Sequence, residues 1–356
     1  MCSISTGNKN TQDKIDDGIY PFYVRSQTVE RINSWTFDGE AILTAGDGVG
    51  VGKVFHHTYG KIGVHQRVYI LSDFKCDANY LFHFFSSKFY NRVKRMSAKN
   101  SVDSVRKEMI TDMSLSLPSH QEQVKIGHLL SLLDERIATQ NKIIDKLQSL
   151  IKGLNNHLCQ QHGNEIETSF ADLGVSYSGL SGKTAADFGS GKPFITYLNV
   201  YSNNVIDETS YQYVRMGNNE KQSIVRYGDV LFTLSSETPE EVGIGSVYLG
   251  NQEVYLNSFC FGIHITNTQK SFSPYLSYYI STTQFRKFIY PFAQGSTRFN
   301  LCKADFEKAT IKLPTLENQK RIYKALKSLS DKIMVEKATL EQYSRQKQYL
   351  LRQMFI

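Results

Sequence analysis

Apolar residues recur along residues 117–158 in alternating steps of four and three, at Ile126, Leu130, Leu133, Ile137, Ile144, Leu147, Ile151, Leu154 and Leu158. One slot, Gln140, is polar. A repeat of about 3.5 residues held over so many turns predicts a long helix with a partner helix, because on a straight surface helix such a stripe drifts around the cylinder. The partner lies in the same chain. From Leu313 onward the pattern returns as Ile322, Leu326, Leu329, Ile333, Leu340, Tyr343, Leu350 and Met354, with Glu336 in the polar slot.

Leu117/Leu313, Pro118/Pro314, Gln123/Gln319, Ile126/Ile322, Leu130/Leu326, Leu133/Leu329, Ile137/Ile333 and Leu154/Leu350 are identical at one constant offset. A proline just ahead of each helix suits an N-terminus, where an N–H would have no intrahelical acceptor, and Ser119 and Thr315 are the expected N-caps. Shared punctuation and phase disfavour two unrelated amphipathic helices docked on separate domains. Two similar halves joined by similar helices close about a pseudo-two-fold axis only if the helices run antiparallel. About 40 residues at roughly 1.5 Å each make a rod of about 60 Å, with a globule expected at either end. Gln140 and Glu336 then meet near the midpoint, and this polar pair is expected to fix helix register. The alternative is that both face solvent.

The 356 residues, 40% hydrophobic and 21% charged, suffice for two or more domains with real cores. No apolar run approaches the length of a membrane span and no secretory pattern opens the chain, so a cytoplasmic protein is expected. Cys2, Cys76, Cys159, Cys260 and Cys302 lie far apart without CxxC pairing, which argues for reduced thiols and against a zinc site or disulfide frame. A net charge of +7 is permissive for nucleic acid.

In the first globule, Asp17–Val24 predicts a turn leading into a strand, Glu40–Thr44 a second strand and Val64–Leu71 a third. The glycine-rich run 46–54 lacks the third glycine of GxGxxG, and a P-loop would need Gly at Asp47 and Ser or Thr at Val54, so tight turns are favoured over nucleotide binding. Residues 79–96 predict an aromatic helix ending in a basic cluster. The second globule repeats this order: Lys192-Pro193-Phe194-Ile195 answers Tyr20-Pro21-Phe22-Tyr23, and 228–233 answers 39–44. Gly245-Ser246-Val247 answers Gly52-Lys53-Val54, Asn257–Phe261 answers His65–Tyr69, and Pro274–Ile289 answers the aromatic helix. The globules share an order of features with little side-chain identity, as two modules reading different things would.

This pattern resembles the specificity subunit of type I restriction-modification systems. The resemblance covers essentially the whole chain and is carried by Leu117-Pro118-Ser119-His120-Gln121-Glu122-Gln123, Leu313-Pro314-Thr315-Leu316-Glu317-Asn318-Gln319 and Gly295-Ser296-Thr297-Arg298-Phe299-Asn300-Leu301. It implies an α+β protein: a first target recognition domain (1–116), a spacer helix (117–159), a connector (160–169), a second recognition domain (170–312) and a second spacer helix (313–356), with the helices forming an antiparallel intramolecular coiled coil. The sequence departs from the family where Ala98-Lys99-Asn100-Ser101 replaces the clearer Gly-Ser-Thr-Arg-Phe-Asn form. The abrupt start at Met1 also predicts the loss of a short entry strand, and one reading is then a lone second-half reader fused to a remnant.

The resemblance further implies recognition of a bipartite double-stranded DNA target, directing adenine methylation or cleavage by other chains. Those partners are methyltransferase subunits, two of them, using S-adenosylmethionine, and restriction/translocase subunits using ATP and Mg; no cofactor is expected in this chain. Charged helix faces at Lys142, Asp145, Lys146, Lys332, Glu336 and Lys337 are available for docking. Affinity should come from Lys and Arg on phosphates and specificity from side chains on base edges. The candidates are Arg25, Ser26, His65, Gln66, Arg67, Lys94, Arg95, Lys99 and Asn100 in the first globule, and Tyr197, Ser235, Ser236, Asn257, Arg298 and Asn300 in the second. Taken singly, each reads more simply as a solvated surface residue or a local loop hydrogen bonder; it is as sets that they point to DNA.

Catalysis is not expected. None of the seven prolines has a proline neighbour, which excludes the Asn/Asp-Pro-Pro-Tyr/Phe loop of adenine methylation, and no nuclease, Walker or Gly-x-Ser-x-Gly constellation occurs. His56, His57 and His65 lack carboxylate or thiol neighbours at ligand spacing, so no metal is expected. Tyr80, Phe84, Phe85 and Phe89 are expected core rather than base-stacking residues. The competing class is a non-catalytic two-domain adaptor that binds protein or RNA.

Overall fold

The computed structural model describes residues 1–97, 104–162, 165–217 and 219–355. It divides into two compact units, Met1–Lys142 with Lys337–Ile356, and Ile143–Glu336. The first contains β1 (Ser3–Thr6), β2 (Tyr20–Tyr23), β3 (Val29–Ile32), β4 (Phe37–Ala45), β5 (Phe55–Val64), β6 (Val68–Ser72), α1 (Ala78–Met96) and α2 (Lys107–Thr111). The strands form one sheet in the order β1-β6-β4-β5-β2-β3, with only β2–β5 parallel. Strand β4 feeds two cores by the period-two alternation of a strand. Ile42 packs with Phe85, Phe89 and Val93 of α1, while Ala41 and Leu43 join Tyr23, Val64 and Ile70.

Two sequence expectations change here, and one strand appears that none foresaw. Val64–Leu71 is two strands, because a turn at His65–Arg67 separates β5 from β6. The polar start of β5, His56-His57-Thr58, hides a strand that pairs with β4 from Phe37↔Ile62 to Thr44↔Phe55. The short entry strand is present as β1, which pairs with β6 from Ser3↔Ser72 to Thr6↔Tyr69.

The second unit contains β7 (Ile166–Thr168), α4 (Phe170–Leu173), β8 (Gly174–Ser178), β9 (Phe188–Ile195), α5 (Tyr197–Ser202), β10 (Gln212–Val214) and β11 (Val230–Thr233). It continues with β12 (Ser235–Ser236), β13 (Gly245–Val247), β14 (Tyr255–Leu256), β15 (Cys260–Ile265), α6 (Ser273–Tyr279) and α7 (Thr283–Ile289). Last come β16 (Ala293–Gln294), β17 (Phe299–Leu301), α8 (Lys303–Lys308) and β18 (Ile311–Leu313). The main sheet runs β13-β11-β15-β8, and β9 pairs with β10 and, in parallel, with β14. Phe170, Phe232, Phe261, Phe285 and Phe306 interlock at its centre, all fully buried. The stretch Pro274–Ile289, expected as one helix, is α6 and α7, because the Thr282 hydroxyl accepts the Phe285 N–H (3.1 Å) and starts a new helix. The connector 160–169 is partly structured: it holds the end of the first long helix and β7, which pairs with β18.

The long helices are α3 (His120–His162) and α9 (Leu316–Met354). Every position of the two apolar stripes is buried or half-buried, including Gln140 at 7% exposure and Glu336, which bonds to Lys332 at 2.5 Å. Gln140 is buried, whereas Glu336 is half-buried at the edge of its stripe, so it is less exposed than the docking flank expected of it. Within the first unit, Asp134 bonds to Lys347 while Leu130 and Leu133 pack with Leu350 and Phe355, so the helices run in opposite senses. Within the second, Leu154 and Leu158 share a core with Ile322 and Leu326, and Gln148 lines a cavity with Ser330 and Ile333, again in opposite senses. Ser119 caps α3 in a reciprocal pair, its Oγ accepting the Glu122 N–H (3.4 Å) while Glu122 Oε2 accepts the Ser119 N–H (3.0 Å), and Thr315 caps α9 at Asn318 N–H (3.4 Å).

The repeated glutamine has a structural explanation. Gln123 accepts the Asp77 N–H (3.1 Å) and donates to Pro118 O (2.9 Å). Gln319 accepts the Phe272 N–H (2.8 Å) and donates to Pro314 O and Lys270 O (both 2.9 Å). Each buried amide therefore ties the first turn of its long helix to the start of the aromatic helix of its own unit. It satisfies backbone groups that would otherwise be buried without partners.

Candidate nucleic-acid interface

The two units carry the same turn at the tip of their sheets. In the first, His65 N–H bonds to Tyr23 O (3.0 Å), Val68 N–H returns to His65 O (2.9 Å), and His65 Nδ1 accepts the Arg67 N–H (3.0 Å). In the second, Asn257 N–H bonds to Ile195 O (3.0 Å), Cys260 N–H to Asn257 O (3.0 Å), and Asn257 Oδ1 accepts the Phe259 N–H (2.9 Å). A side-chain acceptor two residues before the donor is what Asn and a neutral His supply to a tight turn. The turns expose different pairs, Gln66 and Arg67 in one, Ser258 and Phe259 in the other.

This geometry removes His65 from the base-reading candidates. The ring is 4% exposed, and with Nδ1 accepting, its Nε2–H faces Thr11 Oγ1 at 3.3 Å. Burial, with Arg25 nearby, lowers the imidazole pKa and keeps that acceptor available. Asn257 is likewise committed through its oxygen to holding the turn.

Around the first turn, Asp47 gathers two guanidinium groups, Arg25 Nη1 at 2.9 Å and Arg67 Nε at 3.6 Å. The sequence singled out both arginines but not the carboxylate that aims them. Ser26 is exposed beside Arg25, and the two line a cavity with Thr11, Gly48 and Val49. Gln66 donates to Asn10 Oδ1 (2.5 Å). The run 46–54 makes the expected tight turns, with positive φ at Gly48 (74°) and Gly52 (64°). Lys94 and Arg95 are exposed in the last turn of α1. Lys99 and Asn100 lie outside the described residues.

In the second unit, Tyr197 OH donates to Ser235 O (2.8 Å), and Ser235 and Ser236 are buried in β12, paired with Asn300 and Phe299. The Ser236 hydroxyl is taken by Glu241 (3.2 Å). The hydroxyls of Tyr197 and Ser236 are thus engaged within the unit, and the Tyr197 ring stays half-exposed. Arg298 and Asn300 are exposed on the β16–β17 hairpin, whose turn needs Gly295: φ is 141°, and a Cβ there would lie 2.1 Å from Arg298 O. The Arg298 guanidinium carbon sits 6.0 Å from the centre of the Phe259 ring. The correspondence of Asn257–Phe261 with His65–Tyr69 already pairs Phe259 with Arg67, although its residue type kept it from the candidates.

His56 bonds to Ser26 O (3.2 Å) and His57 to Glu40 (3.0 Å), and among the described residues no three or more metal-ligating side chains converge. No helix among them is long and apolar enough to cross a membrane.

The model of the type I restriction modification DNA specificity domain matches residues 1–149 and 183–343. The EcoDI specificity subunit of Escherichia coli is 28% identical over 152 residues, 43% of this chain and 33% of that protein, so the match spans a third of that relative's length. The MjaVIII specificity subunit of Methanocaldococcus jannaschii is 24% identical over 94% of this chain and 85% of its own. The crystal structure of a type I S subunit from M. genitalium shares the fold, with a TM-score of 0.64 at 14% identity over 100% of this chain and 94% of that one. A repeated turn, the paired long helices and a family match over most of the sequence agree, and this chain belongs to the type I restriction modification DNA specificity family.

Proposed function

We propose that this chain reads a bipartite double-stranded DNA target, one half per globule, and directs adenine methylation or cleavage by partner subunits. The observation that carries the proposal is the pair of equivalent turns, one backbone geometry presenting Gln66 and Arg67 in one unit and Ser258 and Phe259 in the other. A common frame with different tips is how one scaffold reads two sequences. Arg25, Arg67 and Arg298 suit guanine edges or phosphates, and Gln66 and Asn300 suit adenine. Lys94 and Arg95 suit phosphates, which fix position without reading sequence.

The methyltransferase subunits would hold S-adenosylmethionine and the restriction/translocase subunits ATP and Mg, with this chain confined to recognition. Gln140 and Glu336, the polar residues within otherwise apolar stripes, fix helix register in this reading. Binding of the full chain with its methyltransferase to random duplex DNA, followed by selection, tests the proposal. The expected result is a split consensus bound with an affinity that falls steeply with salt. Absence of any duplex preference would favour the adaptor reading.

A further inference from the structure

The second unit exposes one large apolar side chain at the point where the first exposes a cation. Phe259 is 56% exposed at the turn position equivalent to Arg67. Its backbone is held on both sides, the N–H by Asn257 Oδ1 (2.9 Å) and the carbonyl by Leu234 N–H (2.9 Å). Arg298 approaches the ring at 6.0 Å, within the range of a cation–π contact. The tip is therefore presented in a set position at little conformational cost on binding. A phenyl ring cannot pair with a phosphate or donate to a base. Among the groups that the major groove presents, the thymine C5-methyl is the one suited to apolar contact, and an adjacent arginine suits guanine O6 and N7.

We propose that Phe259 reads the C5-methyl of a thymine in the half-site served by the second unit, with Arg298 reaching the neighbouring base or phosphate. The inference rests on the DNA reading above and adds to it a residue that determines specificity. Its test uses the full chain with its methyltransferase and a duplex carrying the selected motif. Each thymine of the second half is replaced in turn by deoxyuridine, which deletes the methyl and keeps the pairing. Loss of one buried methyl-sized contact is expected to weaken binding about fourfold at one position. In Phe259→Ser that sensitivity disappears, and in Phe259→Leu, which keeps an apolar tip, most of it returns.

Equal deoxyuridine sensitivity in the native chain and Phe259→Ser overturns the proposal. So does a Phe259→Ser chain weakened on every sequence alike, which would make the ring a wedge between base steps. If the native chain selects no duplex motif, the functional reading falls and this inference with it; a selected motif with unchanged thymine sensitivity removes this inference alone.

Discussion

Replacing Gln319 with Leu is expected to destabilise the second unit by about 3 kcal/mol, since each buried polar group left without its partner costs about 1–3 kcal/mol. The side chain is fully buried and serves three backbone groups, the Phe272 N–H and the carbonyls of Pro314 and Lys270. Leucine fills similar space and supplies none of these bonds. The equivalent change at Gln123, which serves two groups and is 5% exposed, should cost less, about 2 kcal/mol, and act on the first unit. Pulse proteolysis at graded urea, with fragments assigned to each unit, separates the two effects. Equal stability of Gln319→Leu and the native chain would mean that the glutamine clamp is not needed to dock the helix.

Acidification should loosen the first unit through His83. This ring is 1% exposed on α1, 3.3 Å from Ser131 Oγ, and its pKa is pushed down to about 4, first by burial and then by Lys347 and His57; Asp134 and Asp77 oppose the shift. In the unfolded chain an imidazole titrates near 6.5. The folded pKa is the lower one, so the unfolded state binds more protons between about 6.5 and 4. The contribution is therefore complete above pH 6.5 and falls away as the pH drops towards 4. The loss between pH 7 and pH 5 is on the order of 2 kcal/mol. Hydrogen exchange of the α1 amides should show protection falling over that window, and His83→Gln should flatten the fall. A slope unchanged by the substitution would place the acid sensitivity on other groups.

The long helices were legible in the sequence almost residue by residue, because a 3.5-residue stripe depends only on which positions meet an apolar neighbour. The caps Ser119 and Thr315 were also legible, as was the order of features in the two globules, except that Gly245-Ser246-Val247 is strand β13 whereas Gly52-Lys53-Val54 is a turn ahead of β5. Strand β5 was not, because its polar start and Gly60, which has φ of 93° and lies opposite Gly39, interrupt the alternation that marks a strand. The break between α6 and α7 was obscured because both helices are aromatic on either side of Thr282.

At the candidate interface, residue type identified the arginines, but burial decided what the remaining candidates do. His65, Tyr197, Ser235, Ser236 and Asn257 are polar residues in the right place whose hydrogen-bonding groups or burial commit them to the frame. Asp47 and Phe259 were not legible for the opposite reason: an acid and a hydrophobe lack the cationic or amide groups that a DNA surface is expected to show.

Whether the two globules read separate halves of one DNA target is decided by methylome mapping of cells that express this chain with its methyltransferase, before and after residues 170–312 are exchanged for those of another family member. The expected result is a split adenine-methylated motif with a constant gap, in which the exchange rewrites one half and leaves the other intact. A continuous motif, or an exchange that alters both halves or neither, would contradict it.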